Sequence, residues 1–482
     1  MEDLPTHVRW ECQRISSARG LDLFSLEDTS TETWQDYCSF WQEIEKRMPD
    51  TCKVFERSSE QAWAAAREGS PCVTRNARLE FTTTTKQASD TFINSGSEGT
   101  LFKLSLSPLR LELKSCRFAR KFGADRFLYL TIPAFSRLPD RYKGLQPNVH
   151  QGFQQWLMTR DKEFLGCSWS VLSIEPNRAK KLKRKTASST SDDFGGYKVL
   201  LFATEGPHIS KCTIAELFEW FMPTHLNLDQ LACKAFARIR LGLSSTYPTL
   251  IFRPYQVRQI PDILADGAAD KCLFNDPQMT WPRLHNRNRP RVMNDGCSRI
   301  SFPAAQKIWE LIGISGPVPS AFQARIGPWK GVWMISPPVK GYESDEADVW
   351  IEVSDSQRKF RPHLEDQDEF TCDTARLTFE VITWTRKPTT SALYRDFLPV
   401  LEDRHVPHES LTAFVVGSLQ AEEWQLKDAL MDSKQLYRYM QDRWFNFEHD
   451  DVPAPQQFHT PSTEIKMLLE VCLNTVKMVR SC

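Results

Sequence analysis

No stretch of the 482 residues approaches the ~18 consecutive apolar residues that a membrane-spanning helix needs. The acidic start, Met1-Glu2-Asp3-Leu4-Pro5, leads into no apolar core, so neither a bilayer span nor a secretory leader is expected. Paired cysteines are missing as well. The 13 cysteines, from Cys12 to Cys482, stand singly, with no C-x-x-C and no Cys/His cluster at zinc spacing. They read as reduced thiols of the cytosol or nucleus, most of them small buried hydrophobes. There is no G-x-x-x-x-G-K-S/T, no G-x-G-x-x-G, no H-E-x-x-H and no G-x-S-x-G, which removes the common phosphate-loop, dinucleotide, zinc-hydrolase and serine-hydrolase readings. Net charge is absent too: Lys+Arg 61 balance Asp+Glu 61, so the whole-chain total points to no nucleic-acid polycation.

What is present is core material. With 41% hydrophobic residues, a chain of this length is expected to fold as about three domains of roughly 150 residues. Residues 1–95 are helical in tone: Trp34, Phe40, Trp41 and Ile44 recur at helical spacing, and Trp63-Ala64-Ala65-Ala66 suggests another helix. A polar stretch over 82–97 reads as a loop. Residues 96–270 mix strands and helices. Arg126 to Ile132 predicts a strand ended at Pro133, and Lys198 to Thr204 a second. Thr213 with Glu216 has capping-box spacing, and a helix over 228–241 is expected to stop on a positive-φ Gly242. Residues 271–390 are strand-rich, with the best strands at 331–335, 349–353 and 377–381, which suggests a compact barrel. Residues 391–482 turn helical, at 391–404, 408–419, 421–446 and 463–480. His405 and His408 beside Pro407 read as a surface boundary. No internal repeat is evident.

Local charge is far from neutral. Residues 101–126 hold seven basic residues against two acids, hence +5, and residues 281–330 hold eight against two, hence +6. Residues 341–380 run the other way, with twelve acids against four basic residues, hence −8. Arg178 to Lys185 carries six positive charges and no acid, and opens a polar insertion over 178–193. That run suits a solvated loop, an RNA contact or a nuclear-import signal. Each basic segment fits either a solvated face or a phosphate-binding surface.

Two stretches of the second basic segment stand out: Met293 to Ser301, and Pro319 to Gly331 with its Gln323-Ala324-Arg325-Ile326-Gly327-Pro328-Trp329-Lys330-Gly331. Gln323 and Arg325 are expected on one strand face, and Gly327 and Gly331 are expected to let backbone approach a ligand. Arginine offers phosphate a two-pronged fork and lysine a compact charge. Trp329 is a candidate for stacking on a base.

In this order, these residues resemble the eukaryotic cellular RNA-dependent RNA polymerases of RNA silencing, in their fungal branch. The resemblance runs from Ser107-Pro108-Leu109-Arg110 and Phe127-Leu128, through Arg240 to Thr246 and Ile260-Pro261-Asp262-Ile263, to Met293–Ser301, Gln323–Gly331, Asp355-Ser356-Gln357-Arg358-Lys359 and Val406-Pro407. It implies an α+β protein: a mixed N-terminal region, the first of the family's two double-psi β-barrels at about 271–390, and a helical, neck-like segment. It implies template-directed synthesis of complementary RNA, giving double-stranded RNA. Single-stranded RNA and nucleoside triphosphates would be its partners, with silencing-pathway proteins possible, no membrane, and a nuclear or cytoplasmic location.

By resemblance, Gln323, Arg325, Lys330 and Lys359 would bind nucleotide phosphates. Arg117, Arg120, Lys121 and Arg299 would face RNA, and Asp295, Gly296, Gly327 and Gly331 would shape the motif. The family's catalytic Asp-x-Asp-Gly-Asp loop, whose carboxylates hold Mg²⁺ in the second barrel, does not occur here. Asp266-Gly267-Ala268-Ala269-Asp270 has the wrong spacing. The chain is therefore expected to be the N-terminal portion of such a polymerase, with no catalytic or metal residue of its own and no independent synthesis. The alternative is an inactive RNA-binding or interaction protein derived from the family.

Overall fold

The computed structural model describes residues 4–19, 34, 36–47, 55–81, 102–135, 138, 146–159, 162–178, 194–265, 292–337, 349–386, 395–432, 435–436 and 439. The polar stretch at 82–97, the body of the 178–193 insertion, Arg283 to Arg291 and the helix expected at 463–480 lie outside them. The chain forms two compact units, Met1–Arg386 and Lys387–Cys482.

The first unit opens with α1 (Thr6–Arg19), α2 (Tyr37–Arg47), α3 (Glu60–Arg67), β1 (Val73–Thr74), β2 (Asn76–Phe81), β3 (Phe102–Leu106) and β4 (Arg110–Leu111). Then come α4 (Arg117–Phe122), β5 (Phe127–Ile132), α5 (Gln146–Met158), β6 (Lys162–Phe164), β7 (Cys167–Arg178) and β8 (Phe194–Glu205). After α6 (Ile214–Phe221) and α7 (Ala232–Gly242) the chain turns to β9 (Tyr247–Ile251), β10 (Val257–Ile260), β11 (Cys297–Ile300), α8 (Phe302–Ile312), β12 (Ala321–Ile326), β13 (Trp329–Ile335), β14 (Ile351–Ser354) and β15 (Thr378–Trp384). The second unit contributes α9 (Leu398–Asp403) and α10 (His408–Ala429).

Six strands pair in the order β3-β2-β5-β8-β7-β6. Strand β5 and the Val199–Ala203 run of β8 are apolar at nearly every position because both faces are covered. Leu128, Leu130, Val199, Leu201 and Ala203 enter one core, while Phe127, Leu200 and Phe202 enter another with Phe118, Leu217 and Phe221. Each buried valine, leucine or phenylalanine among them contributes about 1.5–3 kcal/mol by leaving water. Helix α6 starts as its spacing predicts: the Thr213 hydroxyl accepts from the Glu216 amide, and the Glu216 carboxylate accepts from the Thr213 amide.

Helix α7 corrects one expectation. It runs through Gly242 and is capped by Leu243 at φ −87°. Glycine is required there by packing, since a Cβ would stand 2.6 Å from the Phe118 ring.

At the N-terminus, the aromatic stripe of α2 packs with α1 and α3. The Phe40 and Trp63 ring centroids lie 5.0 Å apart, and Trp34 and Ile44 join them in the core. His7 is 3% exposed and meets Trp63 edge-on. Burial, reinforced by the charge of Arg75, lowers its pKa from 6.5 to about 4. The neutral imidazole is therefore the folded form, while the unfolded chain takes up the proton at higher pH. Stability is accordingly expected to fall as pH drops from 6.5 towards 4, and His7→Gln should flatten that part of a urea-denaturation pH profile.

Seven strands pair in the order β10-β14-β11-β13-β12-β15-β9, with β10/β14 and β11/β13 parallel and β12 antiparallel to both its neighbours. This curled, mixed sheet is the double-psi barrel layer, and the α+β class holds. Phe322, Trp333, Ile351, Val353 and Phe379 fill it, and α8 packs Ala304, Ala305 and Ile308 on the same core. Ser301 caps α8 by accepting from the Ala304 amide, and Gly313 ends it in the left-handed region at φ 74°.

In the second unit the helices expected at 408–419 and 421–446 are joined: α10 runs unbroken to Ala429, because Gln420 is an ordinary helix former. His405, at φ 62°, and the exposed His408 flank Pro407 as a surface boundary.

Candidate polyphosphate site

The β12–β13 hairpin turns on Gly327-Pro328. Gly327 adopts φ 49°, which favours glycine, and its backbone is held from two sides. The amide donates to the Arg376 carbonyl at 2.9 Å, and the carbonyl accepts from Arg117 Nη1 at 2.8 Å. Two further backbone bonds dock the 355–359 turn on this hairpin. Lys330 N donates to the Gln357 carbonyl at 3.0 Å, and Lys359 N donates to the Pro328 carbonyl at 2.9 Å. Fully buried Gln357 locks that turn through its side-chain oxygen, which accepts from Ser298 Oγ at 2.9 Å and from the Ser354 amide at 3.1 Å.

Cations converge on this frame. Arg325 and Lys330 are direct cross-strand neighbours. Arg325 is 7% exposed and donates through Nη1 to the Leu241 carbonyl at 2.5 Å. Burial, and then the charge of Arg117, pushes its pKa down to about 10. Lys330 is half-buried, and its pKa is lowered by burial, by Arg325 and by Arg238 of α7. Lys359 donates from Nζ to the Ser356 carbonyl at 2.9 Å. Its pKa is lowered by burial, Arg238 and Lys330, and raised by Asp295 and Asp262. A half-buried group of cations that depress one another is an incomplete electrostatic arrangement, and a multiply charged anion completes it.

The remaining expected residues fall in several places. Gln323 shares the Arg325 face by its two-residue spacing but is exposed, whereas Arg325 is covered by the end of α7. At Gly331 the missing side chain makes room for protein. A Cβ there would stand 2.2 Å from the Gly296 carbonyl and 2.8 Å from Gln357 Nε2, so its close approach is to the protein itself. Gly296, at φ 71°, accepts from the Val332 amide and donates to Ser356 Oγ, which leaves Asp295 exposed at the rim.

Trp329 is 5% exposed in the barrel core, which removes it as a stacking platform. Arg117 and Arg120, expected on an RNA-facing surface, are turned inward. Both donate to the buried Glu380 carboxylate, Arg117 at 2.5 Å. Lys121 pairs with Asp373 at 2.5 Å nearer the surface. Arg299 is exposed but forked onto Glu352, at 3.1 Å from Nε and 3.0 Å from Nη2.

A family model for RNA dependent RNA polymerase matches residues 100–476. The chain belongs to the RNA-dependent RNA polymerase family. RNA-dependent RNA polymerase 2 of Arabidopsis thaliana is 31% identical over 138 residues, covering 28% of this chain and 10% of that protein. The solved RNA dependent RNA polymerase QDE-1 from Thielavia terrestris superposes with a TM-score of 0.65 at 27% identity, covering 95% of this chain and 46% of that one. The chain thus spans about half the length of that polymerase, and its match to the curated relative covers a tenth of that protein.

Magnesium, implied for such polymerases by their chemistry, does not fit the described residues of this family member. Among them no group of three or more His, Cys, Asp or Glu side chains could hold a metal ion. One participant escaped the sequence reading: Arg238, whose charge reaches both lysines. Its place in Arg238-Ile239-Arg240-Leu241, beside a stretch carrying the family resemblance, was the available signal.

Proposed function

We propose that this chain is the nucleotide-holding portion of an RNA-directed RNA polymerase that copies single-stranded RNA into double-stranded RNA for gene silencing. Lys330 and Lys359 meet the incoming triphosphate, Arg325 supports them from behind, and Gln323 lies open at the edge for a polar contact. The observation that carries this reading is the pinning of the 355–359 turn, which carries Lys359, to the hairpin, which carries Lys330, by the backbone amides of the two lysines. That pinning holds two mutually repelling ammonium groups together in advance of a ligand. Catalysis in such a site is mostly positioning and charge stabilisation, and preset cations need no reorganisation when phosphate charge arrives.

The test is ATP binding by the 482-residue protein in titration calorimetry. Lys330→Ala is expected to weaken it about tenfold, the loss of one charge-assisted contact, with an unchanged melting temperature. Equal affinity in the variant would overturn the assignment. Retained ATP and RNA binding by a full-length protein that incorporates no nucleotide would favour the non-catalytic, RNA-binding alternative.

A further inference from the structure

Helix α7 is exposed along most of its length but docked at its C-terminal end. The Leu241 carbonyl accepts from Arg325, and Gly242 lies against Phe118 with no room for a Cβ. Arg238 stands three residues before Leu241, one turn back on the docked face. It is half-buried, and its Nε is enclosed with no hydrogen-bond partner among the described residues. Arg240, two residues on and therefore on another face, is exposed and paired with Glu175. Two arginines of one helix thus have opposite surroundings. One is paired with a carboxylate; the other has no such pair at its Nε, and its charge acts on Lys330 and Lys359, the second of which Asp295 and Asp262 also reach.

An enclosed donor without an acceptor costs about 1–3 kcal/mol. Nothing in the packing of α7 needs that cost, because Leu241 and Gly242 already fix the helix. We infer that Arg238 is a polyphosphate-binding residue, its guanidinium taking phosphate oxygens of the same nucleotide that Lys330 and Lys359 hold. The end of α7 is then one wall of the site.

This inference rests on the proposed nucleotide site and extends it in two ways. A guanidinium can grip two oxygens of one phosphate, so it fixes orientation where the lysines supply point charges. A third independent cation also rewards a chain of phosphates over a single one, and so makes α7 a determinant of triphosphate against monophosphate selectivity. The charges agree with this placement. Burial lowers the pKa of Arg238, and Arg238 is the leading charge that depresses Lys359.

The experiment is titration calorimetry on the 482-residue chain with ATP, AMP and inorganic tripolyphosphate, at fixed ionic strength and with EDTA present. Arg238→Gln is expected to weaken ATP and tripolyphosphate about tenfold, the worth of a charge-assisted pair, and AMP much less. Arg238→Lys should restore part of the loss, and melting temperatures should not fall below the wild-type value. If wild type binds none of the three probes, the nucleotide site falls and Arg238 falls with it. If wild type binds them and Arg238→Gln binds equally well, only the role of Arg238 is overturned. Equal losses for AMP and ATP with a lowered melting temperature would make Arg238 structural and also overturn it.

Discussion

Replacing Glu380 with Ala is expected to cost about 3–5 kcal/mol of folding stability, the cost of stranding buried charge without its partner. Glu380 lies on β15, is 1% exposed and accepts from both Arg117 and Arg120. Its backbone pairs with Arg325 across the sheet, and the Arg117 charge already depresses that guanidinium. Removing that carboxylate takes away the partner that Arg117 and Arg120 share, and leaves Asp366, whose charge also reaches Arg117, as a weaker compensation for three neighbouring arginines. The loss should appear as a lower urea midpoint with an unchanged slope. Glu380→Gln, which still accepts hydrogen bonds but carries no charge, should fall between wild type and Glu380→Ala. A cost below about 1 kcal/mol, the range of surface ion pairs, would show that the pair is not buried in solution. The link to function runs through Arg117, whose bond to the Gly327 carbonyl steadies the turn before Lys330.

Gly331→Ala is expected to cost about 3 kcal/mol, the upper part of the range for overpacking a filled interior. The added methyl would meet the Gly296 carbonyl at 2.2 Å and the Gln357 amide at 2.8 Å. Neither neighbour can yield cheaply. The Gly296 carbonyl is backbone and accepts from the Val332 amide at 2.9 Å, while Gln357 is bound to Ser298 and Ser354. Because Lys330 is the preceding residue and Gln357 holds the Lys359 turn, ATP affinity should fall together with stability. A variant as stable as wild type, or one that loses stability with unchanged ATP affinity, would separate the close backbone approach from the lysine pair.

The readable parts of this chain were those decided over a few residues. Thr213 and Glu216 satisfy each other within one helical turn, so their spacing is their structure. The Trp34, Phe40, Trp41 and Ile44 stripe needs only an apolar partner surface, and the β5 run of Phe127 to Ile132 needs only cover on both faces. The ordered motifs from Ser107 to Pro407 are enough to identify the polymerase family from the sequence. The errors share one cause. Gly242 and Gly331 were assigned conformational or ligand-facing tasks from their neighbours in sequence, but Phe118 and Gly296 are what exclude their side chains. Arg117 and Arg120 sit in a basic run and read as surface, yet their counterion is 263 and 260 residues away.

The sequence by itself determined many of the element types, the family and the two candidate lysines, because periodicity, capping and motif order are local or linear properties; the strands at Val73–Thr74 and Asn76–Phe81, in a region read as helical, depended on partners such as β3 and β5. Only the tertiary structure decided which basic residues face one another. Charge acts through space: Glu380 neutralises Arg117 and Arg120, while α7 delivers Arg238 to Lys330 and Lys359, where the described residues give its Nε no acceptor.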